Sequence, residues 1–182
     1  MTLFAVGDVE TSGLDARKNY LLEVAVLIVD GDTLEIQDDV GFEAVVRYDP
    51  FTLADIYEDT NDYVTEMHEK NGLWKHLQMG KVEHLDRIDE ELTKYLKSFG
   101  QPSRSMPFMG NSPRLDLNFF DEHLPAAAQE LSYRMIDVST VAALSNAWHG
   151  TPWFPKAKGH RGMADVREAI AELAYYREAS FK

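Results

Sequence analysis

Asp8-Val9-Glu10 sets two carboxylates two residues apart, just after the apolar run Leu3 to Val6. The run reads as a strand, and residues two apart on a strand share a face. Asp8 and Glu10 therefore aim at one place from the end of a buried element. Two anions so close repel, and one of them keeps its proton unless a cation sits between them. The simplest such cation is a hard divalent metal, which takes oxygen ligands. In an acidic chain Asp-x-Glu also arises by chance, and taken alone the pair fits a solvated or capping role better than a metal site.

Three further polar residues stand where packing does not ask for them. Asp116 falls in a helix that the Ser112-Pro113 pair opens as N-cap and first residue. Asp165 falls in the first turn of the last helix. His160 precedes it by five, in a loop rich in glycine and proline. Each has an ordinary reading too. Asp116 fits an exposed helix position, Asp165 suits a helix N-terminus through the macrodipole, and a loop histidine is usually surface. His68, His76, His84, His123 and His149 show that histidine is not rare here.

The elements that must position these residues follow from periodicity. Leu21 to Val29 is almost wholly apolar, the mark of a central strand, and Asp30-Gly31-Asp32 turns it. A third strand is expected within Leu34 to Arg47. Pro50 to Gly80 is helical in character, interrupted at Asn71-Gly72. Val82 to Phe99 carries apolar residues at helical spacing. A loop at 100–105, a strand over Met106 to Met109, a helix from Ser112 to about Leu124, a strand over Tyr133 to Val138 and a helix over Thr140 to Trp148 follow. His149 to Gly159 reads as a mobile loop, and Met163 to Ala179 as an amphipathic helix. Three strands followed by alternating helix and strand imply an α/β layered domain around a mixed sheet. No repeat or low-complexity tract is visible.

At 182 residues, 45% apolar, the chain is expected to be one domain spanning 1–182. It has no cysteine, which excludes disulfides and thiolate metal sites. With no basic leader and no run long enough to span a bilayer, it is expected to be soluble and cytoplasmic, with no membrane partner. A net charge of −13 argues against a grip on long duplex nucleic acid, which needs a basic track, but not against a very short strand held at a metal-filled pocket.

Taken together, Asp8, Glu10, Asp116, His160 and Asp165 stand in the order of the DEDDh 3′–5′ exonucleases, a branch of the RNase H-like fold. Ser12-Gly13-Leu14 after Glu10 and Gly110-Asn111-Ser112 before Asp116 match as well. The chain resembles one family within that group, the oligoribonucleases. Tyr133-Arg134-Met135-Ile136-Asp137-Val138-Ser139-Thr140 is similar to that family's Tyr-Arg-x-x-Asp-Val-Ser-Thr segment, and Ala171 to Glu178 (AELAYYRE) to its last helix. The resemblance runs from Asp8 to Arg177 and is looser between Asp30 and Gly100.

The resemblance implies an RNase H-like three-layer fold, a mixed central sheet with helices on both faces. It implies a 3′–5′ exoribonuclease that degrades RNA of two to a few nucleotides to nucleoside 5′-monophosphates with two divalent ions, Mg²⁺ or Mn²⁺. Asp8 would bridge the ions, Glu10 and Asp165 would complete the one carrying the attacking water, and Asp116 would serve the other through waters. His160 would take the water's proton, a task suited to an imidazole, which titrates near neutrality. Leu14 would wedge between the last two bases, though it suits a core-capping leucine equally. Tyr63 would stack on a base, and His68 would touch the backbone near the 3′ end. Ser112, Tyr133, Arg134 and Ser139 would cap the 5′ phosphate, with Tyr133 from the second subunit of a homodimer.

Three departures stand out. Gly7 replaces a bulkier apolar residue and is expected to loosen the first strand. HGTPWFPKAKG, His149 to Gly159, is unlike the family's lead-in to His160, and Tyr63 replaces a tryptophan. Two other readings remain at this level: an exonuclease for longer single strands, sharing the same five residues but needing a basic track, and an inactive, binding-only member of the fold.

Overall fold

The computed structural model describes residues 2–157 and 159–181. Met1, Lys158 and Lys182, to which the N-terminal and loop readings above extend, lie outside the described residues.

The chain runs β1 (Leu3–Thr11), β2 (Leu21–Asp30), β3 (Phe42–Val45), α1 (Pro50–Asp59), α2 (Asp62–Lys70), α3 (Leu73–Met79), α4 (Leu85–Ser98), β4 (Met106–Gly110), α5 (Arg114–His123), α6 (Pro125–Ala128), β5 (Leu131–Asp137), α7 (Val138–His149) and α8 (Gly162–Ser180). The five strands form one sheet in the order β3-β2-β1-β4-β5. β1 sits in the middle, antiparallel to β2 and parallel to β4. In this register Asp8 faces Ala25 and Glu10 faces Glu23. β2 is buried along its whole length except Asp30, as its almost wholly apolar run predicts.

The parity of β1 divides the core. Leu3, Ala5 and Val9 pack with Ile88, Leu92 and Leu96 of α4 and Phe119 and Phe120 of α5. Val6 packs on the other face with Val166, Ala169 and Ile170 of α8. A third cluster, Leu22, Leu53, Ile56, Leu73, Trp74 and Leu77, seats α1 and α3 against the start of β2. Helices thus cover both faces of a mixed sheet, the three-layer arrangement expected.

Several boundaries differ from the periodicity. The third strand shrinks to four residues at the sheet edge, because Asp38 accepts from the Val40 and Gly41 N–H groups and turns the chain first. α4 starts after Val82 because Glu83 is drawn into pairing with Val45 and Arg47. α6 had no local signature; Asp89 of α4 accepts from the N–H groups of Ala126 and Ala127 and creates its start. The strand read as Tyr133 to Val138 starts at Leu131 and ends at Asp137, whose side chain caps α7 by accepting from Ser139 N–H.

Ser112 is not the N-cap of α5. Its φ is +55°, the helix begins at Arg114, and no side chain caps it. The Ser112 N–H instead donates to Asp137 Oδ1 at 3.0 Å. Nor does Gly7 loosen β1. A Cβ there would lie 2.4 Å from Phe108 Cε2, so the fully buried Phe108 ring of β4 fills the space that a side chain would take. Among the described residues no helix is long and apolar enough to cross a membrane.

Candidate active site

The acidic residues meet at the carboxyl ends of β1 and β4. Parallel strands carry their following loops to the same edge, so the end of β1 and the start of α5 after β4 lie side by side. α8 packs across β1 and β2 and brings its first turn to that edge. Asp8, Glu10 and Asp165 each offer a carboxylate oxygen, and these oxygens lie within 4.8 Å of one another. Asp116 is outside this trio. It is 6% exposed, and its Oδ1 accepts from Val9 N–H at 3.0 Å, which ties α5 to the backbone between the two acids of β1. Asp8, Glu10, His160 and Asp165 line one cavity of ≈ 320 Å³ together with Asn111, Lys156 and Glu168. A roomier cavity of ≈ 440 Å³, between α1 and α3, is lined mainly by apolar side chains such as Leu53, Trp74 and Leu77 and gathers no such cluster.

Electrostatics explain what the cluster asks for. Burial, then the charges of Asp116, Glu10 and Asp165, hold the Asp8 carboxyl well above the usual aspartate range. Burial, then the Glu23 charge, pushes Glu10 up to about 8. Burial raises Asp116 to about 7 against the pull of the Val9 N–H, and it also raises Asp165, against the Arg161 N–H. Oxygen donors whose charged forms are this disfavoured are matched to a hard divalent cation, which reverses the penalty. Asp8, Glu10 and Asp165 are the residues that fit such an ion directly.

The sign of the pH effect follows. Carboxyls whose folded pKa is raised bind protons on folding, so their stabilisation is complete below their ordinary values near 4 and drains away as pH rises through about 7 and about 8. The melting temperature of the metal-free protein should fall by about 5 °C or more between about pH 5 and about pH 8.5, and Mn²⁺ should restore more at the higher pH. A flat profile would remove the repulsive cluster from the account.

His160 lies in the stretch between α7 and α8 with φ +49°, a left-handed conformation unusual for a residue with a side chain. Its carbonyl accepts from Asn71 Nδ2. His68 is corrected by the structure. It is fully buried, with Nε2 on the Thr11 carbonyl at 3.0 Å and Nδ1 3.8 Å from Glu10 Oε2, so it backs Glu10 rather than presenting itself to a strand of RNA. Leu14 is 78% exposed, which removes the core-capping reading, and Tyr63 is 73% exposed at the start of α2. Ser112 and Ser139 come together, Oγ to Oγ 3.5 Å. Arg134 lies over the exposed Tyr133 ring, 4.6 Å from its centre, on edge strand β5.

Reading the residues missed Glu23 and Arg161. Glu23 is completely buried yet interrupts the apolar run of β2. A lone acid in such a run was itself a signal, since a buried charge requires a partner. The partner is Arg161, whose Nε and Nη2 reach both Glu23 oxygens at 2.7 to 3.2 Å.

Sheet order and layering define an RNase H-like fold, with an acidic cluster at one edge of its sheet. The structure resembles exonuclease I over 99% of this chain and 42% of that one, with TM-score 0.71 at 13% identity. The match to Escherichia coli exonuclease I in complex with a dA16 oligonucleotide has TM-score 0.69 at 15% identity, covering 99% of this chain and 41% of that one. These likenesses concern the fold. The chain belongs to the exonuclease family, whose RNase_T model matches residues 6–173, and within it to the oligoribonucleases. The Leifsonia xyli oligoribonuclease is 34% identical over 96% of this chain and 82% of its own length. The Mycobacterium ulcerans oligoribonuclease is 33% identical over 96% of this chain and 79% of its own. For the probable oligoribonuclease of Schizosaccharomyces pombe the identity is 33% over 93% of this chain, which spans 65% of that protein.

Proposed function

We propose that the protein is a 3′–5′ exoribonuclease that takes RNA of two to a few nucleotides to nucleoside 5′-monophosphates. The observation that carries this is the convergence of Asp8, Glu10 and Asp165 oxygens within 4.8 Å on a cavity shared with His160. Asp8 would hold both of two divalent ions, Mg²⁺ or Mn²⁺, a role that its place in the oxygen trio supports. Glu10 and Asp165 would complete the one that carries the attacking water, and Asp116, with one oxygen committed to Val9, would serve the other through water. When bound, the ions neutralise the phosphodiester and lower the pKa of the attacking water. His160 accepts that water's proton. Leu14 and Tyr63, both exposed apolar surfaces, separate and stack the bases without regard to sequence.

Ser112 and Ser139, adjacent beside Asp137, and the Arg134 guanidinium form the 5′-phosphate cap. A closed cap explains how a chain of net charge −13 acts on RNA, since only a few phosphates are held. Rates on a 5′-labelled dinucleotide and on a 20-mer test this reading. The dinucleotide should be cut faster by about 10-fold or more, the scale of a single lost phosphate contact. Equal rates would assign the chain to exonucleases of longer strands, and no cleavage of either with Mn²⁺ would make it an inactive member of the fold.

The same reading includes a homodimer in the cytoplasm. Tyr133, 82% exposed, and Met135, 45% exposed, stand on an unpaired sheet edge, a surface that proteins seldom leave uncovered. Mixing a Tyr133→Ala chain with an Asp8→Asn chain should restore activity if Tyr133 of one copy completes the 5′-phosphate cap of another. Strict additivity of the two defects would refute this.

A further inference from the structure

Arg161 gathers three parts of the site. Its backbone N–H donates to Asp165 Oδ2 at 2.9 Å. Its guanidinium grips Glu23 through both oxygens, at 3.0 Å and 2.7 Å for the closest pair of contacts. Its amino-side neighbour is His160, whose carbonyl accepts from Asn71 Nδ2. Glu23 also accepts from the Gly162 N–H at 3.1 Å, where the chain passes so close to β2 that a Cβ would sit 2.9 Å from the Ala25 Cβ.

We propose that Glu23 and Arg161 are positioning residues for His160, a buried clamp that holds the segment before α8 so that the imidazole faces the Asp8–Glu10–Asp165 cluster. The physical ground is the backbone of His160. A left-handed residue other than glycine returns to an extended or right-handed conformation unless its neighbours over-determine it. The anchors at its carboxyl side, Asn71 at its carbonyl and Glu23 at the residue after it, do this. An arginine suits the task because its planar fork fixes direction as well as distance, which a lysine would not. Glu23 sits opposite Glu10 on the neighbouring strand, so the clamp is referenced to the same two strands that carry the metal cluster. Glu23 itself is engaged by Arg161 and Gly162 and stands apart from the oxygen trio.

The inference rests on His160 being the base, and a double-mutant cycle separates the two claims. Arg161→Lys keeps the charge beside Glu23 and loses the fork; Glu23→Gln with Arg161→Gln replaces the ion pair by a neutral hydrogen-bonded pair. In the parent background each should lower kcat on a dinucleotide at least 10-fold, with KM and Mn²⁺ affinity by calorimetry within 3-fold. In the His160→Ala background the same changes should cost less than 2-fold, because the group they position is gone. Equal losses in both backgrounds, or a kcat within 3-fold of the parent for Arg161→Lys, would overturn the positioning role. If His160→Ala alone retained kcat, the base assignment would fall instead. Should the double glutamine chain not fold, Arg161→Lys decides the question alone.

Discussion

Asp8→Asn should remove hydrolysis and yet make the metal-free protein more stable. Asp8 contributes to the oxygen cluster that fits a divalent ion, and its substitution by a neutral amide of equal size withdraws the donor without opening a cavity. Metal-assisted phosphodiester hydrolysis draws several kcal/mol from the ions, so activity should drop by about 10³-fold or more. Without metal, however, the Asp8 carboxylate is a liability. Burial and the charges of Asp116, Glu10 and Asp165 all oppose its ionisation. Near pH 8 the variant should melt a few degrees above the metal-free parent, about 1 kcal/mol or more in its favour, and Mn²⁺ should no longer raise its melting temperature. Full activity, or an unchanged response to Mn²⁺, would contradict Asp8 as the shared ligand. A lower melting temperature without metal would contradict the repulsion. Opposite movement of stability and activity is what a site under electrostatic strain predicts.

His160→Ala should show the complementary pattern. The imidazole lines the cavity, but it is absent from the trio of converging oxygens. Loss of a positioned base costs about 10²- to 10⁴-fold in kcat, while Mn²⁺ binding measured by calorimetry should stay close to that of the parent. The deficit should narrow as pH rises, because hydroxide then replaces the missing base. Stability should change little, since alanine carries the same Cβ into the same left-handed backbone at φ +49°. Loss of Mn²⁺ binding would make His160 a ligand, and the role given to it here would be wrong.

Both predictions concern residues that were legible before any fold was known. Asp8 and Glu10 two apart after an apolar run, and His160 five before Asp165, stand out because their spacing is local. The almost wholly apolar run of β2 announced a buried strand for the same reason. Letter strings such as Tyr133 to Thr140 then set the family, and the comparisons with oligoribonucleases agree with that reading.

What the chain alone did not disclose depends on residues far apart along it. Glu23 and Arg161 are separated by 138 positions and make sense only as a pair. His68 looked like a surface contact and is enclosed behind Glu10, because Trp74 and Thr11 close over it. Ser112 fits a helix cap by type, but its N–H is claimed by Asp137 of the neighbouring strand. Local spacing determines which side chains share a face, since backbone geometry repeats within a few residues. Burial and charge pairing are settled by contacts from the whole fold, and so only the tertiary structure decided which polar groups face the cavity and which hold its walls in place.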